Sequence, residues 1–333
     1  MFRFRDFRKD EDIRNKYAEV FLLPGDFIQP LFLVEGEGRY EAISHLFDVF
    51  KLSIDQALLE ISESVDLGIK DFYLFGLIDD AFKDNEGSAA YDENSLIVRA
   101  VKRIKQRFPT VRLYTDVSLS PYTLHGHSGV VKHGIVDNDL SVPLLAKMAI
   151  QHALAGADYV CPTAKMDGQV EAIKKQLRAH AKYSTVILSA SVKFDSNFYG
   201  PARSGAGHTI TTGDKKTYLL DYRNIQQIMG ETWNDISEGA EMIMVKPAST
   251  YLDVISRLKT AFPTTPIVAF HSSGEYMGIK LSAKAGILDE QLAFHEVLIA
   301  LKRAGASKII SYYAKKFMEQ QYNTNYTPVD FVI

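Results

Sequence analysis

Ile236–Pro247 reads ISEGAEMIMVKP: the end of a helix-like stretch, a glycine, a short apolar run and a lysine. A glycine just past a helix takes the left-handed conformation that closes the last turn. The run Met242–Val245 is apolar throughout rather than alternating, the pattern of a parallel strand buried on both faces. The same unit recurs at the joints Leu67-Gly68-Ile69, Ala155-Gly156-Ala157 and Ala304-Gly305-Ala306. Counted outward from it, eight strands are expected, near Leu31–Glu35, Phe72–Leu77, Arg112–Leu119, Asp158–Thr163, Thr185–Lys193, Met242–Lys246, Ile267–Ser273 and Lys308–Tyr313. Pro30 is expected at the start of the first, because proline donates nothing to a ladder. Helical stretches separate most of the strands. Ile97, Val101, Ile104 and Phe108 recur at helical spacing behind an expected N-cap at Asn94, and Ser141 followed by Pro143 is expected to open another helix. Eight such units predict an α/β fold, a (β/α)8 TIM barrel over residues 27–333, with an N-terminal arm over residues 1–26. An open doubly wound sheet is the rival, weakened because no G-x-G-x-x-G follows an early strand.

The 333 residues are 46% hydrophobic and 24% charged with a formal net charge of −3, which suits a globular chain with a large core. This balance argues against nucleic acid as a partner. Met1–Lys16 holds six basic residues, but four acidic ones are interleaved, so a subunit-contacting or solvated arm is expected. No apolar run reaches the length of a membrane span, and no signal-peptide pattern is present, so no membrane partner and a cytoplasmic location are expected. The single cysteine, Cys161, excludes an internal disulfide and a cysteine-rich zinc site.

Chemistry in such a barrel sits at the C-terminal strand ends. Those ends carry Asp116, Thr163, Lys193, Lys246, Ser273 and Tyr312, a polar set following apolar runs. Two lysines closing neighbouring strands, in TVILSASVK and EMIMVKP, are the sharpest signal. A lysine half inside an apolar wall, with a second cation nearby, is pushed toward the neutral amine that attacks a ketone. A snorkelling surface lysine is the bland explanation for either alone.

MIMVKPASTYLD, SVKFDSNFYGPAR, FHSSGEYMGIK, DVSLSPYTLHGHSG and PLFLVEGEG together resemble the porphobilinogen synthase (5-aminolevulinate dehydratase) family, in matching order from about Phe27 to Tyr313. The resemblance implies a lyase that condenses two 5-aminolevulinate molecules into the pyrrole porphobilinogen for haem and related tetrapyrroles. It also implies a (β/α)8 barrel whose arm wraps a neighbour, usually in homo-octamers. By resemblance Lys246 forms the Schiff base at one half-site and Lys193 at the other. Arg203, with Lys215 or Lys216, clamps one carboxylate within a mobile lid spanning Phe198–Thr217. Ser273 and Tyr312 hydrogen-bond the second carboxylate, and Asp116 orients an amine or a water.

The pattern also breaks. Where many family members place three zinc-binding cysteines, and others aspartates, this chain has Ser118, Ser120 and Ser128. Hydroxyls are poor zinc ligands, so no active-site metal is expected and no cofactor is required there, although His125 and His127 remain nearby. PTAKMDGQ stands where the family reads PSDMMDGR, bringing Ala164 and Lys165, and Leu219 replaces a usual glutamine. All three are expected to line the second half-site, with Lys165 either supplying the charge of the missing metal or pointing to solvent. Glu231 lies at the spacing of a family glutamate that binds a peripheral magnesium. Two readings remain beside the main one: a diverged paralogue acting on another amino ketone or aldehyde, and a catalytically silent homologue.

Overall fold

A computed structural model describes residues 3–205, 210–211 and 213–323. Eight parallel strands close on themselves in chain order: β1 (Phe27–Leu33), β2 (Asp71–Gly76), β3 (Arg112–Val117), β4 (Tyr159–Pro162), β5 (Val186–Lys193), β6 (Met242–Lys246), β7 (Ile267–His271) and β8 (Lys308–Ser311). Pairing of Phe27 with Ile309 and of Ile28 with Ile310 seals the ring. Outside it run α1 (Ile54–Asp66), α2 (Leu96–Arg107), α3 (Asn138–Ala155), α4 (Gln169–Ala179), α5 (Ile225–Glu238), α6 (Leu252–Ala261), α7 (Ser273–Lys284), α8 (Glu290–Arg303) and α9 (Ala314–Asn323). The expected barrel is therefore observed. Gly68, Gly156, Gly239 and Gly305 all have positive φ where a helix turns into the next strand.

Period-2 alternation sorts each strand between two cores. Ile28, Tyr73, Tyr114, Cys161, Leu188, Met244, Val268, Phe270 and Ile310 fill the barrel interior. Neighbouring positions such as Leu33, Phe72, Ile243, Ala269 and Ile309 pack against the helices. Among the described residues no helix is long and apolar enough to cross a membrane.

Three local expectations are corrected. Pro30 lies inside β1 and pairs with Tyr73. It is tolerated because β8 pairs only with Phe27 and Ile28, and the added strand Phe50–Leu52 joins β1 only from Phe32 onward, so one edge of β1 carries no ladder at Pro30. The N-cap of α2 is Ser95, whose hydroxyl accepts from the Val98 amide at 3.4 Å, one residue later than Asn94. Asp137 caps α3 through the Leu140 amide at 3.0 Å, so Ser141 and Pro143 fall inside that helix. Ser141 instead bridges the Asp137 carbonyl and the Val130 amide.

Of the arm, Glu11–Lys16 is helical behind an Asp10 cap, and Phe4, Tyr17 and Leu23 are exposed.

His152 of α3 is fully buried, and neither ring nitrogen meets a partner among the described residues. Burial pushes its imidazole down to about 3. The unfolded chain takes this proton below its ordinary value of 6.5, so the stability His152 contributes is present above pH 6.5 and is lost as pH falls toward 3. Between pH 7 and 5 the wild type should lose roughly 2 kcal/mol more than His152→Leu in paired denaturant titrations. Parallel pH profiles would refute this assignment.

Candidate active site

Lys193 and Lys246 are direct partners in the register of β5 against β6. Uninterrupted strands would not place them so. On β6 Met242 and Met244 face the interior, and Lys246 follows two residues on, at the same face. On β5 Leu188 and Ala190 face the interior, which would send Val192 inward and Lys193 out. Between Ser189–Ile243 and Val192–Val245, however, β5 spends three residues where β6 spends two. This bulge reverses the alternation: Val192 joins Val245 in the outer core, and Lys193 turns in beside Lys246.

One cavity at this rim is lined by Asp116, Thr163, Lys193, Lys215, Lys246, Ser273 and Tyr312, all expected from the sequence. The two amines meet different surroundings. The Lys246 ammonium lies 3.7 Å from the Phe270 ring centroid, with Phe75 and Tyr199 at 5.6 and 5.7 Å. Lys193 donates to the Thr163 carbonyl at 2.5 Å. The Thr163 and Tyr73 hydroxyls each donate to Asp116 at 2.9 Å. Asp116 thus fixes the strand end that holds Lys193, in addition to bordering the cavity. Tyr312 packs between Phe32 and Phe270, and burial raises its phenol well above the ordinary range.

The segment after β5 folds over the start of α7. The Ser272 hydroxyl donates to the Phe198 carbonyl at 3.2 Å, and Ser273 Oγ accepts from the Ala202 amide at 3.1 Å. Tyr199 donates from its hydroxyl to the Lys246 carbonyl at 2.6 Å, tying the segment to β6 as well. Of the two lysines expected as clamps, Lys215 is buried against the cavity, whereas Lys216 is exposed. The Arg203 backbone belongs to the short helix Gly200–Gly205, but its side chain lies outside the described residues, as do residues 206–209 and 212 of the expected lid. The aromatic set Phe32, Phe75, Tyr199 and Phe270 escaped the sequence reading. Position alone signals Phe270, which falls on the inward phase of β7 near its C-terminal end.

The family model for delta-aminolevulinic acid dehydratase matches residues 1–320. The chain is 42% identical to the delta-aminolevulinic acid dehydratase of Archaeoglobus fulgidus, over 96% of this chain and 97% of that one. The corresponding Bacillus subtilis enzyme is 39% identical over 94% and 96%. A crystal structure of the Toxoplasma gondii enzyme with its product porphobilinogen superposes with a TM-score of 0.95 at 38% identity, covering 99% of this chain and 96% of that one. The chain belongs to the delta-aminolevulinic acid dehydratase family.

Against that family's pattern, the divergent residues sit elsewhere than expected. Ala164 is buried in an apolar cluster with Val117, Leu119 and Met166, and Leu219 is buried with its amide on the Lys215 carbonyl. Neither lines the cavity. Lys165 points neither into the cavity nor to solvent. Its side chain is 5% exposed, and its ammonium donates to the Ser191 carbonyl at 3.1 Å and to Glu231 at 2.9 Å. Lys165 itself has a left-handed φ of 64°.

The rim does not fit zinc. Ser118 and Ser120 line the cavity with hydroxyls 3.2 Å apart, and Ser128 Oγ is buried without a partner among the described residues. His127 engages the Tyr218 hydroxyl and His125 the Asn85 carbonyl; burial lowers the His125 pKa. Among the described residues no three histidine, cysteine or acidic side chains cluster as a metal site. Neutral hydroxyls are poor substitutes for the thiolates that zinc prefers.

Gly274 permits the close approach of the segment after β5. A Cβ there would fall 2.6 Å from the Phe198 carbonyl oxygen. Gly274→Ala should therefore displace Phe198 and lower kcat/KM about tenfold or more, with little change in Tm. Wild-type kinetics for this variant would show that the contact has no part in turnover.

Proposed function

We infer that the protein condenses two molecules of 5-aminolevulinate into porphobilinogen with loss of two water molecules. The observation carrying this reading is the in-register pair Lys193 and Lys246, facing one cavity in a barrel of this family. Each amine adds to a substrate ketone and expels water, leaving an iminium that withdraws electrons from the adjacent carbon. Loss of a proton from that carbon beside one iminium gives an enamine, which attacks the other iminium carbon and forms the carbon–carbon bond. The amino group of one substrate closes the ring by displacing a lysine. Elimination of the other lysine and a final proton loss give the aromatic pyrrole and return both amines.

The surroundings suit a division of labour. The face of Phe270 attracts a cation, so it favours an iminium at Lys246. Lys193 sits among oxygen acceptors, with Thr163 and the Asp116 carboxylate able to guide protons and water. Lys215, with Arg203 from the same segment, is the proposed clamp for the carboxylate near Lys193; Ser273 and Tyr312 hold the other. The reaction in this reading needs no active-site metal. Glu231 already has the Lys165 ammonium as its cation, which removes the need for a peripheral magnesium there. The exposed apolar side chains of residues 3–26 support an arm that packs on a second copy, in a homo-octamer.

Incubation with 5-aminolevulinate should yield pyrrole, and borohydride trapping followed by peptide mass spectrometry should label Lys246 and Lys193. An adduct without pyrrole would move the assignment to another amino ketone; no adduct would leave a silent homologue. Chelator added to the same assay should leave the rate unchanged. Light scattering should report eight copies, and removal of residues 1–20 should reduce that number.

A further inference from the structure

We propose that Lys165 is a positioning residue for Lys193, acting by clamping the β5 bulge from outside the barrel. This rests on the two-lysine reading above and adds a residue to it.

The pairing of β4 with β5 covers Tyr159–Val186 and Val160–Ile187 and goes no further. Beyond Ile187 the two strand ends have no ladder to hold them, yet this is where β5 inserts its extra residue before Lys193. Two side-chain bonds cross the gap in opposite senses. Lys193 donates to the Thr163 carbonyl on the β4 side, and Lys165 donates to the Ser191 carbonyl on the β5 side. Thr163 and Lys165 are two residues apart, as are Ser191 and Lys193, so the pair of bonds forms a reciprocal stitch. Ser191 is fully buried, and a bulge carbonyl left there without a donor would be disfavoured. The ammonium that meets it is itself held by Glu231 of α5. Loss of the clamp lets β5 relax toward regular alternation, which turns the Lys193 side chain out of the cavity. Lys246 lies on β6, which has no bulged residue of its own and takes its orientation from the Met242 and Met244 phase.

The prediction is asymmetric. In Lys165→Met, trapping by borohydride at saturating 5-aminolevulinate should lose about tenfold at Lys193 while the Lys246 adduct is retained. Over the same change kcat should fall on the order of 10- to 100-fold. Lys165→Arg keeps a donor for the carbonyl and a charge for Glu231, and should recover most of the Lys193 adduct. Glu231→Gln, which frees the ammonium without deleting it, should give a smaller loss in the same direction and covers the case in which Lys165→Met does not fold. Equal labelling of both lysines in the variants, or equal loss at both, overturns the proposal. If the wild type itself gives no adduct at Lys193, the two-lysine reading fails instead, and the two failures are told apart in one experiment.

Discussion

A single extra residue in β5 is the constraint on which the rest of the site depends. Strand side chains alternate with a period of two, so a one-residue insertion sends every later side chain to the opposite face. The barrel interior up to Leu188 and Ala190 is apolar and closed. Beyond it the reversed phase delivers Lys193 to the same rim as Lys246, as its register partner. Without the bulge the chain would still bury its core and still close its barrel, but one of its two amines would face the helices. Stability and reactivity are thus set by different stretches of the same strand.

The two amines are neighbours by register but not by environment. Lys246 rests on aromatic faces, and Lys193 is directed at a carbonyl in a network that ends on the Asp116 carboxylate. Aromatic faces stabilise positive charge without accepting a proton, whereas oxygen acceptors can hold or pass one. A condensation of two identical molecules needs such asymmetry, because one must act as the nucleophile and the other as the electrophile. The segment after β5 links both halves, since its Tyr199 bonds to the Lys246 carbonyl while its Phe198 and Ala202 rest on Ser272 and Ser273.

The strands were legible in the sequence because each is a short, largely apolar run, and β6 matches its expected bounds at both ends. The rim residues were legible for the same reason: position at a strand end implies the site. The bulge was not. TVILSASVK contains nothing that distinguishes nine regular residues from eight plus an insertion, because Ser, Ala and Val are compatible with either face. Lys165 was misplaced for a related reason. Its distance in sequence from Lys193 says nothing about which side of β4 it leaves by, and that choice is made by its left-handed backbone and by Glu231, 66 residues away.

The departures from the family pattern consequently answer two separate requirements. Ser118 and Ser120 are inside the cavity and bear on its chemistry, lining that edge with neutral hydroxyls that add no charge. Ala164 and Lys165 are outside it: the first is buried in an apolar cluster, and the second reaches across to the adjoining strand. A cation inside the cavity would compete with Lys215, which lines it, for the substrate carboxylates of the proposed reaction. The same cation behind the wall, neutralised by Glu231, supports the geometry of Lys193 and leaves the charge of the cavity to its own residues.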